Sequence, residues 1–332
     1  MTSDYLEVMP FTIEPHKDWK IVDVEHVLTH DFLIKDSSTL SNLADNKKLI
    51  VDVSREPMGD TDEWLSDNIP LEHYVVMTSN LNFLDSDSDR IIFFPRYYPD
   101  SLLALDQVPK LDQDVILNCN RKYVASCLNG RARSHRIQNF MGLLSKPYFD
   151  QLRVSIHNTL ERERETNPPP ELSELDPAIL SSFEDYAKDL PDFYPNDWSV
   201  NDSAYTDSYI NIVTETMVTG KCWHLSEKLW KPIISGQFGL YIAYPGTVDH
   251  LRYLGFDVFD DYIDHSYDQE QDWKKRIAMV HEQLDTLIDL DWQQIFKDTI
   301  ERRLKNYKLF YSGSLLRWAN DSLEGYGTIK VL

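Results

Sequence analysis

The stretch INIVTETMVTGKCWHLSEKLWKPIISGQFGLYIAYPG, Ile210–Gly246, decides the fold. It opens inside SYINIVTE, an apolar run of strand length that begins at Ser208 and closes on Glu215. A loop containing Gly220 follows, and Ser226 then stands where a helix N-cap belongs, with Glu227 and Lys228 in the first turn. Leu229, Ile233 and Ile234 form the apolar stripe of that helix, Pro232 shortens or bends it, and Gly236 ends it after about ten residues. QFGLYIAY, from Gln237, reads as the next strand, and another helix opens at Thr247. Strand, helix, strand and helix in succession predict an α/β domain built on parallel strands.

Working outward, the first half of the chain alternates apolar runs with polar connectors. WKIVDV from Trp19, KKLIVDVS from Lys47, HYVVMTS from His73 and RIIFFP from Arg90 read as strands. KLIVDVS is apolar on both faces, which suits a parallel strand covered on each side. ETNPPPELSELDP, Glu165–Pro177, gathers prolines and carboxylates and predicts an exposed loop or inserted arm. From Asp272 to Leu304, Ile277, Val280, Leu284, Leu287 and Ile288 recur at helical spacing and predict two amphipathic helices. A chain of 332 residues fits two α/β domains of about 150 residues each. We place their boundary between Lys110 and Asp114.

Composition narrows the class. With 33 Lys plus Arg against 55 Asp plus Glu, the formal charge is -22, a mean field that repels DNA, RNA and acidic membranes. Any anion must be captured locally. Cys119, Cys127 and Cys222 lack C-x-x-C spacing, which points to a reduced, cytoplasmic setting. The opening MTSDYLEVMP carries no basic segment before an apolar core, and no apolar run reaches membrane-spanning length, so neither a leader nor a membrane span is expected.

Two segments depart from the acidic average. Between Asp114 and Asp150 there is no carboxylate, while Arg121, Lys122, Arg131, Arg133, Arg136 and Lys146 all fall there. In CLNGRARSHRIQNFMGLL, Gly130 precedes a helix whose apolar face carries Ile137, Phe140, Met141 and Leu144, so the arginines cluster at its amino end. Helix dipole, backbone N–H groups and guanidinium forks favour a phosphate at such a place. The competing reading is a basic helix face paired with the protein's own surplus carboxylates. The second segment runs from Lys228 to Thr247, again without a carboxylate. A lysine in a first turn opposes the helix dipole, and an anion brought by a ligand explains Lys228 better than helix stability does.

At these residues the chain resembles the fucosyltransferase-like glycosyltransferases, the α1,3-fucosyltransferase family with its phage and bacterial relatives. That family's donor site closes a strand on an acidic residue and opens a short helix with Thr-Glu-Lys. Here Glu215 closes VTE, and Ser226, Glu227 and Lys228 stand at the second motif with Ser in place of Thr. SREPMGD, from Ser54, is similar to the family's Glu-Ser-Pro loop, DRIIFFPRYY, from Asp89, to its Asp-Arg…Pro…Tyr-Tyr strand, and NCNRKYVASCLNGRARSHR to its arginine helix.

The resemblance implies a GT-B-like α/β fold of two Rossmann-like domains facing a central cleft. Residues 1–112 would form the acceptor-side domain and 113–306 the nucleotide-sugar domain. Residues 307–332 would be a helix and tail crossing back, amphipathic at Leu315, Leu316, Trp318 and Leu323. The implied reaction moves a sugar from a nucleotide-diphosphate donor to the hydroxyl of a saccharide or other acceptor, with inversion. No cofactor or metal is called for beyond the nucleotide sugar as co-substrate. Arg133, Arg136 and Lys228, with Arg131 beside them, are assigned to the diphosphate. Glu215 or Glu227 is assigned to hydroxyls of the ribose or sugar, and Ser226 to the same motif. Glu56, with Asp60 and Glu63 nearby, is the candidate base. DSDSD around Asp85 matches the Asp-x-Asp manganese signature of the other major glycosyltransferase fold, and an acidic chain produces such triplets by chance. Two other readings compete. A phage-type transferase acting on a hydroxymethylated DNA base would need a basic groove, for which Arg121 to Lys146 is the candidate, against the net charge. A non-catalytic carbohydrate-binding protein would stack sugar on Trp223, Trp230 or Trp273.

Overall fold

Runs rich in Ile, Val and aromatic residues form the strands, because such side chains fit a pleated surface covered on both faces. The computed structural model describes residues 11–23, 48–52, 74–84, 91–95, 97–98, 113–166, 170–188, 203–220 and 223–331. The strands are β1 (Phe11–Pro15), β2 (Trp19–Asp23), β3 (Lys48–Asp52), β4 (Tyr74–Thr78), β5 (Ile91–Phe93), β6 (Tyr123–Asn129), β7 (Leu152–Ile156), β8 (Ser208–Thr214), β9 (Phe238–Ile242) and β10 (Gly327–Val331). The helices are α1 (Gln113–Leu117), α2 (Ser134–Leu144), α3 (Leu160–Thr166), α4 (Pro177–Ala187), α5 (Ser203–Thr206), α6 (Lys231–Ile234), α7 (Thr247–Tyr253), α8 (Trp273–Leu287), α9 (Trp292–Asp298), α10 (Ile300–Tyr311) and α11 (Ser314–Asp321). None of them is long and apolar enough to cross a membrane.

The molecule is therefore mixed α/β with parallel sheets, and its contacts divide the chain into two compact units. One comprises residues 1–107, 221–224 and 313–332, the other 108–220 and 225–312. In the first unit β2, β3, β4 and β5 lie side by side in chain order, all parallel. Ile50, Val75, Met77, Ile92 and Phe94 form its core with Ala319 and Leu323 from the end of the chain. β1 and β10 pair antiparallel in a separate ribbon. Residues 221–224 belong here because Trp223 N donates to Asn80 Oδ1 at 3.0 Å and Leu81 N to Trp223 O at 2.9 Å.

The second unit carries the parallel sheet β7-β6-β8-β9. Every residue of β8 and of β9 is buried, as a central parallel strand requires. Three local expectations change. The single helix predicted after Ser226 is a 3₁₀ turn, Glu227–Trp230, running into the one-turn α6. Pro232 explains this: it has no N–H to give Lys228 O, and its ring would crowd that carbonyl, so the preceding turn tightens to i→i+3 bonding. The stop at Gly236 rests on its left-handed φ of 64° and a Gln237 N to Pro232 O bond of 2.8 Å. The two helices predicted after Asp272 are three, because Asp291 caps α9 and Thr299 breaks α9 from α10. The predicted arm at Glu165–Pro177 includes the end of α3, a 3₁₀ turn at Leu172–Glu174 and the first residue of α4, with residues 167–169 outside the described set.

Candidate functional site

In the order β7-β6-β8-β9 the chain leaves β6 toward β7 on one side and returns as β8 on the other. The carboxyl ends of β6 and β8 thus flank a topological switch point, where open parallel sheets leave a crevice for ligands. β6 ends at Asn129 and leads through Gly130 and Arg131 to Arg133, which caps α2 in extended conformation. The Arg133 side chain makes no capping bond to the first turn of α2, while Arg136 N donates to Arg133 O at 2.9 Å. β8 ends at Thr214, whose hydroxyl bonds Asn129 Oδ1 and ties the two strand ends together.

Three side chains from the start of α2 clasp the backbone leaving β8. Arg136 Nη2 donates to Thr214 O at 3.1 Å and Glu215 O at 3.2 Å. His135 Nε2 donates to Glu215 O at 2.9 Å. Its imidazole is held neutral, since burial and then the charges of Arg136 and Arg133 push its pKa well below the usual histidine range. Arg133 Nη1 donates to Thr216 O at 2.5 Å.

The Glu215 side chain is 0% exposed and is tied into the next motif. Its Oε2 accepts from Ser226 Oγ at 2.6 Å and from Thr216 N at 3.1 Å, and its Oε1 accepts from Ser226 N at 3.1 Å. Ser226 Oγ in turn caps Lys228 N and receives a bond from Lys228 Nζ, each at 3.4 Å. Lys228 Nζ also donates to Glu227 Oε1 at 2.6 Å. Burial works to raise the Glu227 carboxyl, but the ammonium groups of Lys228 and Lys231 outweigh it and hold the pKa at about 2.

Arg131 differs from its neighbours. Its Nε donates to Glu163 Oε1 at 2.8 Å, and Glu163, from α3, is 0% exposed. Arg133 Nε lies 3.8 Å from the other Glu163 oxygen. The Arg131 side chain is 22% exposed, and among the described residues its two terminal nitrogens meet no protein acceptor. Lys228, at 21%, is the other cation of the set with comparable access to solvent.

No protein-family model and no curated protein matches the chain. Among solved structures it is similar to the Glycosylation Associate Protein (Gap123) complex from Streptococcus agalactiae, at 10% identity and a TM-score of 0.42. That match covers 92% of this chain and 54% of the other, so this chain spans about half of that protein's length. No residue role is transferred at that distance.

The structure thus links Arg133, Arg136, Glu215, Ser226, Glu227 and Lys228 in one bonded network, with Arg131 joined to Arg133 through Glu163. Glu215 and Arg136 are committed to protein partners, whereas Arg131 and Lys228 keep solvent access beside a helix start. Such a set can hold a multiply charged anion. Glu56, Asp60, Glu63 and the DSDSD aspartates lie outside the described residues. Among the described residues no group of three His, Cys, Asp or Glu side chains gathers as a metal site.

Sequence reading missed two contributors. Glu163 sits in the run LERERET, which looks like a solvated face. Arg276, in α8, donates to Val218 O at 3.0 Å and to Ala243 O, pinning the loop after β8 to the end of β9. A faint signal existed for Arg276, a lone cation on the apolar stripe of an amphipathic helix.

Proposed function

We propose that the second unit binds the diphosphate of a nucleotide sugar at the β6/β8 switch point and that the protein is a glycosyltransferase. One observation carries this reading: in a chain of net charge -22, Arg131 and Lys228 keep solvent access where two parallel strands end beside the start of a helix whose N-cap side chain makes no capping bond. Arg131 and Lys228 contact the diphosphate and stabilise the charge that develops as the nucleotide leaves. Arg133, Arg136, Glu215 and Ser226 hold the loop that presents Lys228. Glu227 is the carboxylate available to a ribose or sugar hydroxyl. Glu56 is the base this reading assigns to the acceptor hydroxyl.

Calorimetric titration with GDP-, UDP-, CMP- and dTDP-sugars, in EDTA, tests the reading. One donor is expected to bind and to be turned over or slowly hydrolysed. Lys228→Ala is expected to lose about 2–4 kcal/mol of transition-state stabilisation, and to stay folded with a lowered melting temperature, because the buried Glu227 carboxylate loses its 2.6 Å partner. A variant keeping more than about half the rate would remove Lys228 from the site, since one lost charge-assisted contact costs tenfold or more. Binding of duplex DNA at low salt in place of any nucleotide sugar would favour the nucleic-acid reading.

A further inference from the structure

Glu163 lies beyond the segments that carry the motifs, yet it is the fully buried carboxylate on which two site arginines converge. Thr159 Oγ donates to Glu163 Oε1 at 3.4 Å and accepts from Ala132 N at 2.7 Å, so α3 is fastened to the loop that carries the arginines. The geometry of Arg131 is informative. A guanidinium has five N–H donors in a rigid plane, and fixing Nε fixes the direction of the other four. Glu163 occupies Nε at 2.8 Å, and the terminal nitrogens bond no protein acceptor among the described residues.

We propose that Glu163 is a positioning residue: it clamps Arg131 by Nε so that the Nη1/Nη2 edge is presented to the oxygens of a diphosphate. The identity of that anion rests on the function proposed above; the clamp itself rests on the ion pair. An arginine on a loop otherwise loses rotamer freedom when it binds, and a buried partner that fixes it in advance lowers that cost. A purely Coulombic role would give the opposite sign. A carboxylate beside an anion site repels the anion, so deleting it as a mere bystander would tighten binding.

The test uses inorganic pyrophosphate as probe, titrated by calorimetry into the full chain and its variants. Glu163→Ala removes both charge and clamp, and binding is expected to weaken about tenfold, because a charge-assisted bond no longer orients the guanidinium. Glu163→Gln keeps an acceptor for Nε without the charge, and is expected to stay within about threefold of wild type. In an Arg131→Ala background, Glu163→Ala should add no further loss, since partners in one network are non-additive. Should Glu163→Ala not fold, Glu163→Asp retains the charge but withdraws the oxygens by one methylene, and is expected to weaken binding several-fold.

Tighter or unchanged binding by Glu163→Ala, additive losses in the double variant, or no binding of pyrophosphate by wild type would each overturn the inference. The proposed function fails separately. Pyrophosphate binding with the predicted Glu163 pattern, but no nucleotide sugar bound or consumed, would sink the transferase reading and leave the clamp standing.

Discussion

Replacing Glu215 with Gln changes one atom in a fully buried carboxylate and cannot satisfy the groups around it. The carboxylate accepts from Ser226 Oγ, Ser226 N and Thr216 N, and two of these are backbone donors with no freedom to reverse. A Gln amide has one accepting end. If its NH₂ takes the place of Oε2, it faces Thr216 N–H; if it takes the place of Oε1, it faces Ser226 N–H. Either way a buried donor meets a donor. Losing one bond to a charged acceptor and leaving one buried N–H unsatisfied together cost about 3 kcal/mol. The second unit is expected to melt about 6–12 °C lower, on the usual scaling for a domain of that size. Calorimetric scans of Glu215→Gln against wild type read this directly, with Ser226→Ala as a milder companion expected to lose about 1–2 kcal/mol. A shift corresponding to less than about 1 kcal/mol would show that the loop is held by other means and refute the account of Glu215 as its anchor.

Two further outcomes follow from burial. Burial lowers the pKa of His250 and of His281 to about 4, with the Lys146 charge adding to the shift at His281, so both stay neutral in the fold where the unfolded chain would bind protons. Stability from these groups is present above the unfolded value of about 6.5 and is lost as pH falls toward 4, about 2 kcal/mol for each by pH 5. Asp268, raised to about 6 chiefly by burial, acts in the other direction: its contribution is complete below about 4, is lost as pH rises through 6, and returns about 1 kcal/mol at pH 5. The net expectation is a falling melting temperature between pH 7 and pH 5, lessened in His281→Gln; a flat profile would contradict the buried neutral histidines. In β9, a Cβ on Gly239 would fall on the hydroxyl and ring edge of Tyr241, a buried side chain. Gly239→Ala is expected to destabilise by about 1–3 kcal/mol in chemical denaturation, and a neutral result would mean that the Tyr241 ring can swing aside.

Most of the strands were legible because their side chains are apolar on the buried faces: β2, β3, β4, β5, β8 and β9 follow directly from period and composition. β6 and β7 were not. β6 buries Ser126 and Asn129, and Ser208 donates to Ser126 at 2.8 Å while Gln237 donates to Ser208 at 2.6 Å. A strand whose buried face mixes Ala125 and Cys127 with a polar network to its neighbours carries only a weak apolar period, although it forms the inner edge of the switch point. β1 and β10 were equally silent, since a two-stranded ribbon joining the two ends of the chain has no local period that reveals its partner.

The candidate site stood out in the sequence as a charge anomaly, and the structure sorts that anomaly into different uses. Arg121 donates to Tyr205 O, Ser208 O, Val115 O and Ser235 O, so it is a buried tie between backbone segments, with burial lowering its pKa to about 9. Arg136 performs the same task at the end of β8, and Lys146 meets Asp285 near the surface at 2.6 Å. These residues account for the missing carboxylates without any ligand: a guanidinium that bridges several carbonyls needs no acidic partner, and one nearby would compete for its donors. The reading in which basic residues pair with the protein's own acids holds for Lys146 and, through Glu163, for one edge of Arg131. What that reading leaves over is the outer edge of Arg131. Of the four basic residues sorted here, Arg131, at the carboxyl end of β6, is the one whose terminal donors meet no protein acceptor among the described residues, and that is where an anion is to be sought first.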